Sequence, residues 1–223
     1  MSPRPYTLGQ REITAEQTRS RIVSAAHDVL STADGPAAFS MDLVARRASV
    51  ARMTVYHQFE SKAHLLEAVF DFVASRGQLA GLPAALAQRE PLEALAGFIA
   101  IFGRFWASDR VVMRHLRGLA VLDDEFGEAV RIRNERRKKG LHVIVRRLHD
   151  VYGHPPKKSF DELVDMLHAL TNFETYDTLA GPSRTPAHVA PIINRVARAA
   201  LGFDPDTNNK RGLRRKGSAP RRQ

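Results

Sequence analysis

Apolar residues recur at helical spacing along nearly the whole chain, and no run alternates with the period of two that a half-buried strand requires. Ile22, Ala25, Ala26, Val29 and Leu30 share one face, and Thr14 and Gln17 have the spacing of a capping box. A first helix is therefore predicted from about Thr14, ending near Ala33-Asp34-Gly35-Pro36. Ser40 can cap a short second helix to about Arg47, with Asp42 in its first turn, where a carboxylate favours the helix dipole, and Val44 and Ala45 facing inward. After Ala48-Ser49-Val50, the segment Ala51 to His57 is long enough for about two turns of a third helix. Phe59-Glu60-Ser61 then breaks and recaps the chain. Leu65, Leu66, Val69, Phe70 and Val73 form the stripe of a fourth helix, with Gly81-Leu82-Pro83 marking its expected end.

The remainder continues in the same period. Pro91 is placed as a first-turn proline for a helix from Leu92 to Trp106, and Asp109 opens another to about Leu122. Residues 124–152 read as one long helix or as two broken near Gly140, stopped by Pro155-Pro156. Phe160, Leu163, Val164, Leu167 and Leu170 give one stripe, which Met166, Phe173 and Tyr176 widen to a second face. Pro182 and Pro186 separate this helix from the last, where Val189, Ile192, Ile193, Val196, Ala197, Ala200 and Leu201 repeat before Gly202. The pattern predicts an all-α protein.

Charge changes the picture less than its total suggests. The net charge is +10, which makes nucleic acid or another anionic surface the natural partner. Yet residues 1–70 hold eight lysines and arginines against seven carboxylates, while residues 204–223 hold seven against two. Half of the excess thus lies in the tail, whose cations from Lys210 to Arg222 stand among glycine, serine and proline and read as disordered. The opening residues 1–13, with Arg4 and Arg11, read as a flexible basic arm of the kind that can enter a minor groove. Arg131, Arg133, Arg136, Arg137, Lys138, Lys139, Arg146 and Arg147 form a basic band, read as a solvated helix face paired with Glu128 and Glu135 rather than as a second nucleic-acid surface.

Several function classes lose their footing on composition. No apolar stretch approaches the roughly 20 residues needed to span a bilayer, the chain has no cysteine, and its start lacks the pattern of a secretory signal, so a soluble cytoplasmic protein is expected. There is no phosphate-cradling glycine loop, no Gly-x-Ser-x-Gly and no cysteine nucleophile, so an enzyme is not expected. The nine histidines lack a metal-ligand spacing. Asp165 and His168 share a helix face, where a surface hydrogen bond is expected rather than a metal, and no cofactor is foreseen.

Residues 40–57 have the layout of two short helices joined by a tight turn, in which the second helix lies in the major groove and the first crosses the phosphate backbone. The run Arg21-Ile22, Ala25-Ala26, Ser40-Met41, Val44-Ala45, Ala48-Ser49-Val50, Thr54-Val55-Tyr56, Phe59, Ser61-Lys62 and Leu65-Leu66 resembles the DNA-binding domain of the TetR (tetracycline repressor) family of transcriptional regulators over about residues 14–70. The resemblance implies a helix-turn-helix domain over residues 14–60. A helical ligand-binding and dimerisation domain would follow over residues 61–203, its connecting helix spanning 61–82. It implies a homodimer through the last two helices, a double-stranded, near-palindromic DNA operator as partner, a small-molecule effector, and repression as the expected sign.

Arg52 and Met53 open the third helix, where side chains reach base edges, and an arginine there can donate two hydrogen bonds to guanine. His57, one turn further on, is the other candidate base contact. Thr54, Tyr56 and Lys62 match positions that grip phosphates in the family, and Ser40 is expected both to cap its helix and to meet a phosphate. Tyr56 can also pack its ring on the first helix, whereas Val50, Val55 and Phe59 read as core. The sequence departs from the family where Ser49 stands in place of the usual glycine and Ala51 in place of a capping serine or threonine. Phe98, Phe102, Trp106, Met113, Leu116, Met166, Phe173 and Tyr176 are either the lining of an effector pocket, as the resemblance implies, or plain core. The alternative to a regulator is an architectural DNA-coating protein, which would bind with a steep salt dependence and little sequence preference.

Overall fold

A computed structural model describes residues 6–153 and 159–203. In chain order it contains α1 (Tyr6–Leu30), α2 (Gly35–Ala38), α3 (Met41–Arg47), α4 (Arg52–Phe59) and α5 (Lys62–Arg76). A 3-10 turn at Leu79–Gly81 leads into α6 (Leu82–Leu86), α7 (Pro91–Ser108), α8 (Arg110–Leu122) and α9 (Asp124–Tyr152). The last elements are α10 (Phe160–Leu170), α11 (Phe173–Ala180) and α12 (Pro186–Ala200), with no strand among the described residues. The predicted tail over 204–223 and Pro155-Pro156 lie outside the described residues, as does Arg4 of the predicted arm. Among the described residues the helices divide into two units, one of residues 6–76 with 108–133, the other of residues 77–107 with 134–153 and 159–203.

In the first unit, α1 packs on α3, α5 and α8, burying Ile22, Ala25, Ala26, Val29 and Leu30 as the stripe predicts. The helix begins earlier than the Thr14–Gln17 spacing suggests. Thr14 lies inside it, and the Thr18 hydroxyl donates to the Thr14 carbonyl at 2.8 Å, so these residues are no cap. Leu8, Gln10, Arg11 and Glu12 are good helix formers, but Gly9 among them costs about 1 kcal/mol, so propensity alone does not account for the extension.

The single turn of α2 replaces the expected loop because the chain folds tightly back at Gly35. A Cβ there would stand 2.8 Å from the Val29 carbonyl oxygen.

The first unit also contains α8, which the predicted boundary at residues 60–61 assigned elsewhere. Val112, Met113, Leu116 and Leu119 are buried, and α8 packs on α1, α2 and α5. Asp109 caps the helix as predicted, accepting from the Val112 amide at 3.1 Å, while its other oxygen lies 2.7 Å from His27 Nε2. The His115 Nδ1–H donates to the Leu30 carbonyl at 2.7 Å, satisfying one of the acceptors that the end of α1 leaves over.

In the second unit, Gly81-Leu82-Pro83 opens α6 instead of closing the preceding helix, with Pro83 in its first turn. The proline's missing N–H would have been unpaired there in any case. α9 runs unbroken through Gly140, where a Cβ would stand 3.1 Å from the Phe98 ring. That glycine admits a close approach rather than ending a helix. The predicted helix after Phe160 is instead two, because Asn172 accepts from the Thr175 amide at 2.7 Å and starts α11. Phe173 and Tyr176 therefore belong to a separate helix, not to a second face of one helix.

Six of the residues considered as an effector pocket stand in this unit, while Met113 and Leu116 lie in the core of the first. Phe98 and Phe102 have ring centroids 4.7 Å apart, Phe105 and Trp106 4.3 Å, and Trp106 and Phe173 5.7 Å. The Trp106 indole donates to the Thr171 carbonyl at 3.0 Å.

The basic band is not uniformly solvated. Arg131 pairs with Glu128 at 2.6 Å, as helical spacing predicts, and Arg136, Lys139 and Arg146 are exposed. Arg133, however, holds Glu67 at 2.8 Å and Asp71 at 3.0 Å, and Arg147 donates to the carbonyls of Leu86 and Arg89. Arg137 is buried, its guanidinium 5.7 Å from the Phe102 ring centroid and 5.9 Å from that of Trp106. The predicted proximity of Asp165 and His168 resolves differently too. Lys138 takes Asp165 at 2.6 Å, and Arg137 Nη2 donates to His168 Nε2 at 2.8 Å. The hydrogen bond from Lys138 holds the Asp165 carboxyl below its ordinary range. Burial, then the charges of Arg137 and Lys138, lower the pKa of His168.

Candidate nucleic-acid interface

The interface candidates lie on α3, α4 and the start of α5, and the turn between α3 and α4 sets their geometry. Ser40 stands in extended backbone and accepts from the Leu43 amide at 3.2 Å, capping α3 as predicted. At the far end the Val50 amide donates to the Ala45 carbonyl at 3.0 Å and the Ser49 amide to the Arg46 carbonyl at 3.1 Å. This pair of reversed bonds is a Schellman motif, whose C′ residue must enter the left-handed region. Ser49 does so, at φ 53°, where a glycine would meet no Cβ penalty. Ala51 then stands at the cap of α4 with extended backbone and no side-chain hydrogen bond. Both departures from the family pattern thus fall on positions with a specific backbone demand.

Replacing Ser49 by glycine should stabilise the protein by about 0.5–1 kcal/mol, the left-handed strain relieved less the extra chain entropy of glycine. Ala51→Ser should add about 1 kcal/mol through a restored cap. Urea unfolding checks both, and a midpoint unmoved by Ser49→Gly would contradict the strained turn.

On α4, Val55 and Phe59 are buried and hold the helix against the unit. Arg52, Met53 and His57 are exposed, whereas Thr54 and Tyr56 are half-buried. Met53 is 73% exposed, a large apolar side chain displayed on a helix whose other apolar residues are covered. Arg52 Nε lies 3.1 Å from the Asp42 carboxylate, its Nη2 donates to the Tyr56 hydroxyl at 3.4 Å, and its guanidinium stands 5.4 Å from that ring centroid. The Tyr56 hydroxyl, then the Asp42 charge, raise the pKa of Arg52. Lys62, in the first turn of α5, is half-buried with its ammonium 5.8 Å from the Phe39 ring centroid.

One supporting residue escaped the sequence reading. Arg19 of α1 donates from Nη1 to the Gln58 carbonyl at 2.8 Å and lies 4.2 Å over the Phe59 ring centroid. A cation at the carbonyl end of α4 satisfies an acceptor and complements the helix dipole. No local signal marks it, since its partners are distant in sequence and Arg19 belongs to no spacing pattern.

Residues 22–69 match the family model "Bacterial regulatory proteins, tetR family", a span containing α3, the strained turn, α4 and Lys62. Over that segment the chain is similar to the DNA-binding domain of TetR-family regulators. The matched residues contain α3 and α4, the two helices joined by the tight turn. Solved structures agree in fold along most of the chain. The TetR family transcriptional regulator PfmR from Thermus thermophilus is 19% identical, with a TM-score of 0.60 over 82% of this chain and 97% of that one. A TetR-like transcriptional regulator from a Rhodococcus species is 21% identical, with a TM-score of 0.60 over 83% and 96%. A TetR transcription regulator from Haloarcula marismortui is 14% identical, with a TM-score of 0.64 over 84% and 97%. No curated protein matches the chain in sequence. Among the described residues, no helix is long and apolar enough to cross a membrane.

Proposed function

We propose that this chain is a transcriptional regulator of the TetR type, a ligand-responsive repressor that binds a near-palindromic operator as a homodimer, with Arg52, Met53 and His57 reading base edges. Ser40, Thr54, Tyr56 and Lys62 hold phosphates. The observation carrying this reading is the exposure of Arg52, Met53 and His57 on one short helix whose opposite face is buried. Arginine suits guanine, and an exposed methionine side chain suits a thymine methyl.

Dimerisation is assigned to the helices after Phe160. On α12, Val196 is 45% exposed and Ile192 half-buried beside the buried Val189, Ile193 and Ala197, leaving apolar surface for a second copy. The effector is assigned to the second unit, where Phe98, Phe102, Trp106, Met166, Phe173 and Tyr176 offer aromatic and apolar surface. Entry there requires rings now in mutual contact to part, which links ligand uptake to helix movement. The tail from Lys210 to Arg222 supplies salt-sensitive affinity without sequence preference.

Selection from a random DNA pool at near-physiological salt tests the reading, together with the mass of the protein in solution. The expected result is an enriched inverted repeat with half-sites about one helical turn apart, or a multiple of it, bound by a dimer. A protein that stays monomeric on and off DNA would overturn the homodimer. A pool without enrichment, with binding that falls steeply as salt rises, would replace the regulator with the architectural alternative.

A further inference from the structure

We infer that Asp42 is a positioning residue for base reading: it holds the Arg52 guanidinium toward the groove and away from phosphates, and so sets operator specificity without reading a base itself. The inference rests on Arg52 being a base reader. Arginine is long and its end is exposed, so an untethered Arg52 would sample many rotamers and lose that freedom on binding. Here two neighbours restrain it. Asp42 Oδ1 lies 3.1 Å from Nε, and Tyr56 engages the guanidinium through its hydroxyl and ring.

Those neighbours are themselves fixed. Asp42 belongs to the first turn of α3, which Ser40 caps and which the Schellman motif joins to α4, and Tyr56 lies one helical turn beyond Arg52. A guanidinium has five N–H donors. Tyr56 accepts from one of them and Asp42 holds the group as an ion pair beside Nε, leaving enough for the two parallel bonds that guanine O6 and N7 accept. The carboxylate contributes a second effect of opposite sign. It repels the phosphate backbone, so that it weakens sequence-independent binding and disfavours the competing state in which Arg52 lies on a phosphate.

A residue that merely supported the dipole of α3 would alter stability without altering which base is preferred. One that merely kept Arg52 off DNA would, on removal, strengthen binding to all sequences alike. The positioning role predicts a split. In Asp42→Asn, affinity for random duplex should rise about 2–5-fold at moderate salt, as one repelling charge disappears. The preference for the cognate base at the Arg52 position should fall about 5–10-fold. Asp42→Glu, which keeps the carboxylate, should retain most of the preference. Asp42→Ser is measured in parallel, so that a stability loss peculiar to the asparagine variant does not decide the outcome.

The experiment is competition binding of the full chain to the selected operator, to operators altered at each position and to random duplex. It is run for the wild type, the three Asp42 variants, Arg52→Ala, and Arg52→Ala combined with Asp42→Asn. On the Arg52→Ala background, Asp42→Asn should still tighten random-duplex binding and change no base preference. Unaltered preference in Asp42→Asn and Asp42→Ser, with Arg52→Ala abolishing it, would overturn the positioning role while leaving Arg52 as the reader. Preference intact in Arg52→Ala would overturn both.

Discussion

Trp106→Ala is expected to destabilise the second unit by about 3–5 kcal/mol, a large fraction of the stability of an ordinary domain. Trp106 is 4% exposed, lies tilted against Phe105, meets Phe102 and Phe173, and donates its indole hydrogen to the Thr171 carbonyl. Truncation removes the ring's burial, opens a void, and strips a buried acceptor of its partner at the very point where α10 ends before α11 starts. Trp106→Phe should cost less, because most of the volume remains while the hydrogen bond goes. Calorimetry or urea unfolding decides between two descriptions of this cluster. A cost below about 1.5 kcal/mol would show that the rings surround space rather than fill it, and would strengthen their assignment to an effector.

Arg52→Ala is expected to remove base discrimination at one position of each half-site at a cost of about 1–3 kcal/mol per half-site, or roughly 5–150-fold. The protein should unfold at nearly the wild-type temperature, because the partners of Arg52 are solvent-accessible and exposed ion pairs contribute little. Lys62→Ala should behave otherwise, weakening binding to all sequences about equally and reducing its salt dependence by about one counterion per half-site. Titrations against the selected site and its single-base variants separate these patterns. Equal losses on every sequence would make Arg52 a phosphate contact.

Where a side chain meets a local backbone demand, the sequence was legible. Ser40 and Asp109 were recognisable as caps because short polar side chains have few better uses beside an apolar run, and the buried stripe of α1 follows from helical spacing alone. The substitutions at Ser49 and Ala51 drew attention to the one turn between α3 and α4 whose φ is unusual. Beyond local reach the signal faded. Nothing in a run of arginines tells which will turn inward, and Arg133, Arg137 and Arg147 found a carboxylate pair, an aromatic surface and backbone carbonyls on segments distant in sequence. Glycine was ambiguous for a related reason. Gly140 looks like a helix breaker, yet its missing Cβ makes room for Phe98, a contact that exists only once α7 and α9 are packed. Likewise, Asp42 was readable as a helix-dipole charge, whereas its hold on Arg52 depends on the angle between two helices.

The first unit is assembled from two separate stretches of chain, and this bears on how it can be isolated. A fragment cut after residue 76 would contain every candidate base and phosphate contact of α3, α4 and α5 but none of α8. The apolar stripe of Val112, Met113, Leu116 and Leu119 would be gone, and His27 would lack its Asp109 partner. The exposed surface would invite aggregation, so such a fragment is a poor tool for measuring operator binding. A loop-shortened gene, joining residue 76 to residue 108 through a short glycine-serine bridge and stopping near residue 133, would keep the unit's own core within a single small polypeptide.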